Sequence, residues 1–138
     1  MLGYIRVGAN DVSASARFYG AILIPLGYVR ENEPEGVAFT FPTGTGQAHG
    51  PAAIYVGKPY DEETATVGNG SMTAFQAETQ ETVRRLHAAG LEAGGADEGA
   101  PGFRDNYGKH FYVGYLRDPL GNKVAIFCSN PAERARSG

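Results

Sequence analysis

The 138-residue sequence predicts an α+β fold made of two related modules, each with the element order βαβββ. Residues 4–9 alternate like a strand and lead into apolar residues at helical spacing, after which come β-rich runs. Residues 72–77 repeat the strand pattern, and Val83 then takes the helical place that Ala16 holds about half a chain earlier. Such a repeat indicates one structural unit occurring twice, with each helix covering one face of a mixed or antiparallel sheet.

The first module is predicted to span about residues 2–57. Asn10 or Asp11 caps its helix by accepting from free backbone amides, and the helix ends near Pro25 because the residue before a proline avoids the helical region. Three further strands are predicted, over residues 27–31, 37–41 and 52–57. A polar linker follows, over residues 58–69.

The second module is predicted to span about residues 70–129. Its first strand, residues 71–77, precedes a helix over residues 79–89. Gly90 is expected to end that helix as a left-handed cap, because glycine adopts positive φ without steric cost.

The rest of the second module contains a glycine-rich stretch and a hairpin. Segment 92–110 is rich in glycine and predicts a mobile loop or a very short strand. Residues 111–117 and 123–128 flank the run DPLGN at 118–122, in which a proline and a glycine favour a tight turn. The polar tail, residues 130–138, is expected to fray.

Composition excludes several classes of function. The formal charge of −3 is interspersed, so no basic stripe is available for nucleic acid. Cys128 is the sole cysteine and is expected in the core, which excludes a disulfide framework and a thiolate metal cluster. The longest apolar stretch, residues 21–26, is too short for a membrane span, and no signal peptide is visible. A cytoplasmic protein without nucleic-acid or membrane partners is expected.

Two motifs carry a family resemblance. They are VGAND at residues 7–11, leading to RFY at 17–19, and VGYLRDPLGNK at 113–123. With them the sequence resembles the vicinal oxygen chelate superfamily, and most closely its small single-domain glyoxalase/bleomycin-resistance/dioxygenase-like proteins. The resemblance implies paired βαβββ modules curling into U-shaped sheets around a cavity, usually in a homodimer. Whether the modules pair within one chain or across the dimer is left open.

The metal-ligand positions that the resemblance implies carry unsuitable residues. The histidine positions in the first strand of each half fall on Tyr4 and Met72, the glutamate position falls on Ala125, and the last strand of the first half contributes Tyr55. A neutral phenol is a poor ligand for a hard ion, a thioether suits Cu(I), and alanine has no donor. No metal or other cofactor is therefore expected.

One alternative is a displaced divalent-metal site. His49, His110 and Asp105, together with a water, would form it, although no spacing in the sequence supports such a set. His87, on the second helix, is expected to be half-exposed and to take no part.

An organic ligand suits the predicted lining better than a hydrated ion. Strand alternation assigns Ile5, Val7, Ile54, Val56, Phe75, Val124 and Ile126 to the helix-packed core and leaves aromatic, thioether and small side chains on the other face. The predicted ligand-binding residues are Tyr4, Arg6, Tyr55, Met72, Arg104, Tyr107, Tyr112 and Phe127. Within a loop over residues 101–107, Arg104 either contacts a ligand carboxylate or phosphate or pairs with Asp105 or Glu98.

Three functions remain open. The first is a metal-independent protein that binds a small organic molecule, like the bleomycin-binding branch. The second is an enzyme, a lyase, isomerase or dioxygenase, that uses a displaced divalent metal or tyrosine and histidine acid–base chemistry, with Tyr4, His49 and His110 as candidate catalytic residues. The third is a structural or partner-binding domain with a collapsed cavity. Segment 44–50 is glycine-rich but lacks the lysine of a phosphate loop.

Overall fold

The computed structural model describes residues 1–42 and 51–137 of the chain. Within these ranges the two halves repeat the order βαβββ, as the sequence predicts. The elements are β1 (Tyr4–Gly8), α1 (Val12–Leu23), a short 3₁₀ helix (Ile24–Leu26), β2 (Val29–Glu33), β3 (Gly36–Thr40), β4 (Ala53–Gly57), β5 (Thr73–Gln76), α2 (Gln80–Glu92), β6 (Ala96–Phe103), β7 (Tyr112–Arg117) and β8 (Lys123–Cys128).

Each half forms its own four-stranded sheet. The strand orders are β1-β4-β3-β2 and β5-β8-β7-β6, so the two sheets have the same topology. In each sheet the first strand of the module runs parallel to the last, and the other pairs are antiparallel. The prediction of an α+β fold with two mixed sheets is confirmed.

Both helices begin at a side-chain cap, which for the first helix is the predicted Asp11 and for the second is Thr79, predicted as the first residue of that helix. The Asp11 carboxylate accepts from the Ala14 amide at 3.0 Å, and the Thr79 hydroxyl accepts from the Thr82 amide at 3.1 Å. Helix α1 ends at Leu23, two residues before Pro25, as expected. No helix in the described ranges is long and apolar enough to cross a membrane.

One hydrophobic core lies between the helices and the two sheets. The strand residues predicted to face it are buried there, and Ile5 packs against it while half-buried. The buried members of that prediction are Val7, Ile54, Val56, Phe75, Val124 and Ile126, together with Cys128. The alternation of strand side chains therefore predicts the core-facing side of each sheet correctly.

Gly90 does not end the second helix, contrary to the sequence prediction. Helix α2 continues to Glu92, and the left-handed residue after it is Gly94, with φ of 99°. A Cβ on Gly90 would lie 2.7 Å from Leu116 Cδ1 and 3.2 Å from Phe18 Cε1. Gly90 therefore permits close packing against β7 and α1, a tertiary requirement that local sequence does not reveal.

Segment 92–110 is neither a mobile loop nor a very short strand, contrary to the sequence prediction. It contains the eight-residue strand β6, which pairs with β7 along its length. The register shifts between Asp97 and Gly99 and again between Gly99 and Gly102. An edge strand tolerates such irregularities and a proline, which is why its glycine-rich sequence does not look like a strand.

The predicted hairpin between β7 and β8 is confirmed and is closed by a buried aspartate. Asp118 Oδ1 accepts from the amides of Leu120, Gly121 and Asn122, each at 2.9 Å. Asn122 Nδ2 donates to the Gly8 carbonyl at 3.0 Å, so the turn of the second module also bonds to the first.

The tail, expected to fray, instead packs on the second module as far as Arg136. Glu133 Oε1 accepts from the Gln80 amide at 2.7 Å, at the start of α2. Gln80 Nε2 donates to the Arg134 carbonyl at 2.6 Å, and Arg136 Nη1 donates to the Asp105 carbonyl at 2.8 Å. Polar side chains of the tail, those of Glu133 and Arg136, thus attach it to the second module.

Candidate functional site

A cavity of about 870 Å³ opens where the 3₁₀ helix of the first module, with residues just before β2, after β3 and before β4, meets β5 and the start of α2 in the second module. We call it the aromatic cleft, after Tyr28, Phe41 and Phe75, which line it. Pro25, Leu26, Pro51, Ala52 and Ala74 complete its apolar wall. Phe41 and Pro51, which lie on either side of residues 43–50 in the sequence, both line the cleft. His49, a predicted catalytic or metal-binding residue, lies outside the described residues.

Within the aromatic cleft, the Tyr28 ring contacts each of the other two rings edge to face. The Tyr28 ring centroid is 5.2 Å from that of Phe41 and 6.3 Å from that of Phe75. Tyr28 donates a hydrogen bond from its hydroxyl to the Ala52 carbonyl at 3.1 Å, and burial raises its pKa. Gly27 has φ of 105° and approaches Phe41 closely, since a Cβ on it would lie 3.2 Å from Phe41 Cζ. These contacts hold the rings in place as a wall.

The second module supplies a polar edge to the aromatic cleft. Gln76, Glu78 and Thr82 line it. Thr82 already accepts a hydrogen bond from the Thr79 hydroxyl at 2.8 Å. Among the described residues, the side chains of Gln76 and Glu78 have no hydrogen-bonding partner. An apolar wall beside a few polar groups is the arrangement that binds and orients small organic molecules.

Three predicted ligand-binding residues lie together on the helix-opposite face of the first sheet. Tyr4 and Tyr55 pack edge to face with ring centroids 5.3 Å apart, and Arg6 lies beside Tyr55 in the strand register. Arg6 Nη2 donates to the Lys58 carbonyl at 2.7 Å. Partial burial, followed by the charge of Glu33, raises the pKa of Tyr55.

Arg104 lies on the helix-opposite face of the second sheet, where backbone carbonyls hold it. Its guanidinium donates to the carbonyls of Ala100, at 2.8 Å, and Phe103, at 3.2 Å, and stands 5.4 Å from the Tyr115 ring centroid. Lys123 Nζ is 5.0 Å from the centroid of the same ring. The alternative that Arg104 pairs with Glu98 does not hold, because Glu98 pairs with Arg117.

That Glu98–Arg117 ion pair is 3.1 Å long, and both partners are about one-third exposed. The hydrogen bond from Arg117 lowers the pKa of Glu98.

Tyr115, which sequence analysis did not select, is central to the helix-opposite face of the second sheet, where Arg104 and Lys123 both stand against its ring. Its alternation with Gly114 and Leu116 in β7 is the signal that points to it. Burial and the nearby Tyr107 raise the pKa of Tyr115, while Arg104 opposes this shift.

The remaining predicted aromatic residues fall in two places. Phe127 stacks on Phe111 with centroids 5.3 Å apart, and Tyr107 packs on Phe111 at 5.5 Å. Tyr112 instead points into the hydrophobic core and is 5 % exposed, with its hydroxyl accepting from Arg84 Nη1 at 3.2 Å. The structure therefore separates Tyr112 from the other predicted binding residues.

The family metal positions do not fit a divalent ion. The Tyr4 ring packs on Tyr55, Met72 offers a half-exposed thioether, and Ala125 is a buried methyl group. Among the described residues, no three histidine, cysteine, aspartate or glutamate side chains are grouped to hold a metal. Tyr4 and His110 belong to different modules, and no described hydrogen bond or ring contact joins them.

His87 is buried, contrary to the expectation that it is half-exposed. Strand β6, which is longer than the very short strand that the sequence allowed, packs over α2 beside it. His87 Nε2 lies 3.1 Å from Asp97 Oδ1 and 3.1 Å from the Tyr115 carbonyl. Both partners are acceptors, so Nε2 is the protonated nitrogen. His87 therefore links α2 to β6 and β7.

Comparison with solved structures gives matches over most of the chain. The chain is 34% identical to a glyoxalase/bleomycin resistance protein from Albidiferax ferrireducens T118, with a TM-score of 0.79 over 93% of this chain and 98% of that one. A glyoxalase-related enzyme from Fulvimarina pelagi shares the fold at 21% identity and a TM-score of 0.67, covering 93% of this chain and 87% of that one.

Lactoylglutathione lyase from Agrobacterium tumefaciens also shares the fold. It is 18% identical, with a TM-score of 0.58 over 93% of this chain and 92% of that one. Neither the protein-family models nor the curated proteins give a match to the sequence.

Proposed function

Because this chain belongs to the glyoxalase/bleomycin resistance protein family of the vicinal oxygen chelate superfamily, we propose that it binds a small organic molecule with an aromatic group in the aromatic cleft. The observation that carries the proposal is the 870 Å³ cavity, walled by the rings of Tyr28, Phe41 and Phe75. Binding there needs no divalent ion, in keeping with the absence of suitable donors at Tyr4 and Ala125.

The cleft favours a ligand with one flat apolar part and one polar part. An aromatic ring gains about 0.5–1.5 kcal/mol per edge-to-face or offset contact beyond the burial of its surface. Tyr28 and Phe75 present such contacts from different modules. Gln76 and Glu78 then supply an amide and a carboxylate that orient polar groups of the ligand.

The test is the binding of N-phenylnaphthylamine, a neutral aromatic dye whose fluorescence rises in apolar surroundings. We expect saturable binding to the wild-type chain and about tenfold weaker binding to Phe41→Ala, which removes one wall of the cleft. Phe41 is 44% exposed, so the variant is expected to fold.

Tyr60→Ala is the matched control. Tyr60 is 97% exposed and does not line the cleft, so its loss removes an aromatic ring from elsewhere on the surface. Equal dye affinity in the wild type and in Phe41→Ala would place the dye elsewhere and overturn the proposal.

We further propose that the chain forms a homodimer through its helix-opposite sheet faces. The first sheet carries Glu31 and Glu33 on this face, near Tyr55. The second sheet carries Arg104 and Lys123 on the corresponding face, around Tyr115. A two-fold dimer that sets one face against the other would bring opposite charges together twice, which supports this mode of association.

A further inference from the structure

The tail that follows β8 is tied to the polar edge of the aromatic cleft. Residues 76–82, which run from the end of β5 into α2, carry that edge, and Glu78 stands near its middle. Asn130 Nδ2 donates to the Glu78 carbonyl at 3.0 Å, and Glu133 Oε1 accepts from the Gln80 amide at 2.7 Å. The tail therefore holds the backbone that directly follows the Glu78 side chain.

The second sheet holds only the start of this polar edge. The Ala77 amide donates to the Phe127 carbonyl at 2.7 Å. In the part of the chain that the structure describes, the hydrogen bonds that join residues 78–80 to distant segments all go to the tail. The Thr79 hydroxyl bonds only locally, to Thr82. The tail thus supplies the hydrogen bonds that fix residues 78–80 relative to other elements.

Two features favour the attached tail over a detached one. Gln80 is 5% exposed, and its Nε2 donates to the Arg134 carbonyl at 2.6 Å, so detachment would leave a buried amide without this partner. Asn130 Oδ1 accepts from the Ala132 amide at 2.9 Å, which orients the same side chain with Nδ2 towards the Glu78 carbonyl. The contact with Glu78 is therefore preorganised within the tail.

The far end of the tail is anchored on the second sheet and the loop that follows β6. The Arg136 amide donates to the Lys109 carbonyl at 2.7 Å, and Arg136 Nη1 donates to the Asp105 carbonyl at 2.8 Å. The Arg134 guanidinium stands 5.4 Å from the ring centroid of Phe103, at the end of β6. The tail thus bridges that loop and the polar edge of the aromatic cleft.

We propose that Asn130 and Glu133 are positioning residues, through which the tail determines where the aromatic cleft accepts a polar group of its ligand. This inference rests on the proposed function, because it concerns the same cleft. Gln76 and Glu78 offer acceptor oxygens at the polar edge, and among the described residues none from the tail lines the cleft. A hydrogen bond weakens steeply when its geometry is displaced, so a fixed Glu78 selects a donor at one place on the ligand.

The test compares two ligands with the same ring system, 1-naphthylmethylamine and 1-methylnaphthalene, by their displacement of N-phenylnaphthylamine. Only the first carries an ammonium group for the polar edge. We expect the wild-type chain to bind the amine about tenfold more tightly, and this preference to fall to about twofold in Asn130→Ala and in Glu133→Ala. The affinity for 1-methylnaphthalene is expected to change by less than about twofold, because the apolar wall is intact.

Two control variants separate position from charge. Glu133→Gln keeps an acceptor oxygen for the Gln80 amide but removes the charge, so it is expected to retain the wild-type preference. Glu63→Ala removes an exposed carboxylate of the linker and is expected to retain it as well. Circular dichroism without ligand checks that each variant is folded.

A double variant tests whether the tail acts through Glu78. Glu78→Ala removes the carboxylate of the polar edge and is expected to abolish most of the preference for the amine. Adding Glu133→Ala to Glu78→Ala is expected to change the preference little further, because the residue that Glu133 positions is already gone. Fully additive effects of the two substitutions would overturn the inference.

The failure of this inference differs from the failure of the proposed function. Unchanged preference in both Asn130→Ala and Glu133→Ala, with the dye bound as in the wild type, would overturn the inference alone. So would a wild-type chain without preference for the amine, an equal fall in affinity for both naphthalenes, or a loss in Glu133→Gln or Glu63→Ala as large as in Glu133→Ala. Absence of dye binding by the wild type would overturn the proposed function and this inference with it.

Discussion

The two modules have the same strand order, but their helices meet the core in different ways. Each helix contains one glycine. A Cβ on Gly20 of α1 would meet its nearest neighbour at 3.7 Å, an ordinary contact, whereas a Cβ on Gly90 of α2 would lie 2.7 Å from Leu116. The sheet faces differ as well, with Glu31 and Glu33 on the first and Arg104 and Lys123 on the second. Duplication thus conserves the backbone pattern, while packing and charge diverge.

The largest expected effect on stability comes from comparing two aspartates, Asp118 in the β7–β8 turn of the second module and Asp11 at the start of α1 in the first. Asp118→Ala removes the acceptor for three turn amides and leaves the Tyr19 hydroxyl buried without its partner. We expect the free energy of unfolding to fall by about 3 kcal/mol or more. Urea unfolding followed by circular dichroism measures it.

Asp11→Ala in the first module is the comparison. Asp11 is an exposed helix cap with a single described acceptor role, to the Ala14 amide, so the expected loss is about 1 kcal/mol. An equal fall in the free energy of unfolding for Asp118→Ala and Asp11→Ala would contradict the view that the hydrogen bonds of Asp118 contribute more to stability.

The next effect concerns the two helix glycines. Gly90→Ala is expected to lower the free energy of unfolding by about 1–3 kcal/mol, because Leu116 and Phe18 must move. Gly20→Ala is expected to leave it unchanged or raise it by up to about 1 kcal/mol, since alanine favours a helix and fits the space. The same unfolding titration measures both, and a loss in Gly20→Ala as large as in Gly90→Ala would contradict the comparison.

The smallest effect tests the charges of the two sheet faces. Reversing Glu31 and Glu33 to lysine would set like charges against Arg104 and Lys123 of the second copy. We expect the dimer dissociation constant to rise by about tenfold, equivalent to about 1.4 kcal/mol. Sedimentation equilibrium measures it at several protein concentrations.

The double variant Glu62→Lys/Glu63→Lys, at exposed linker positions, is the control for the change in net charge, because it also reverses two carboxylates. A wild-type chain that sediments as a monomer at all concentrations would contradict the proposed dimer. A tenfold rise in the dissociation constant of this control variant would mean that net charge, and not the charge on the sheet faces, causes the effect.

Local patterns in the sequence predict those parts of the fold that depend on local interactions. Strand alternation places Val7 and Ile126 in the core, and the run from Asp118 to Asn122 predicts the hairpin, because both signals arise within a few residues. The eight-residue length of strand β6 escapes prediction because its glycines and Pro101 lower the strand signal, and its pairing with β7 overrides that preference. The packing role of Gly90 and the burial of His87 likewise escape prediction, because both are set by elements distant in sequence that pack against α2.

The site was predicted less completely than the fold. Arg6 and Met72 do line a cleft together, and Tyr4 meets Tyr55 as strand register implies. The aromatic cleft was missed because its rings come from three separate strand regions, and Phe75 was assigned wholly to the core. Phe75 is buried, but it also borders the cavity, a dual position that alternation along one strand does not reveal.

The turn between β7 and β8 has a consequence for how the chain folds. Its Asp118 and Asn122 bond to Tyr19 and Gly8, partners that lie 99 and 114 positions away in sequence. Contacts of such separation form late, after most of the chain has been ordered, and they raise the contact order. The last hairpin therefore completes its hydrogen bonds only when the first module is in place, so we expect the two halves to unfold in a single cooperative transition.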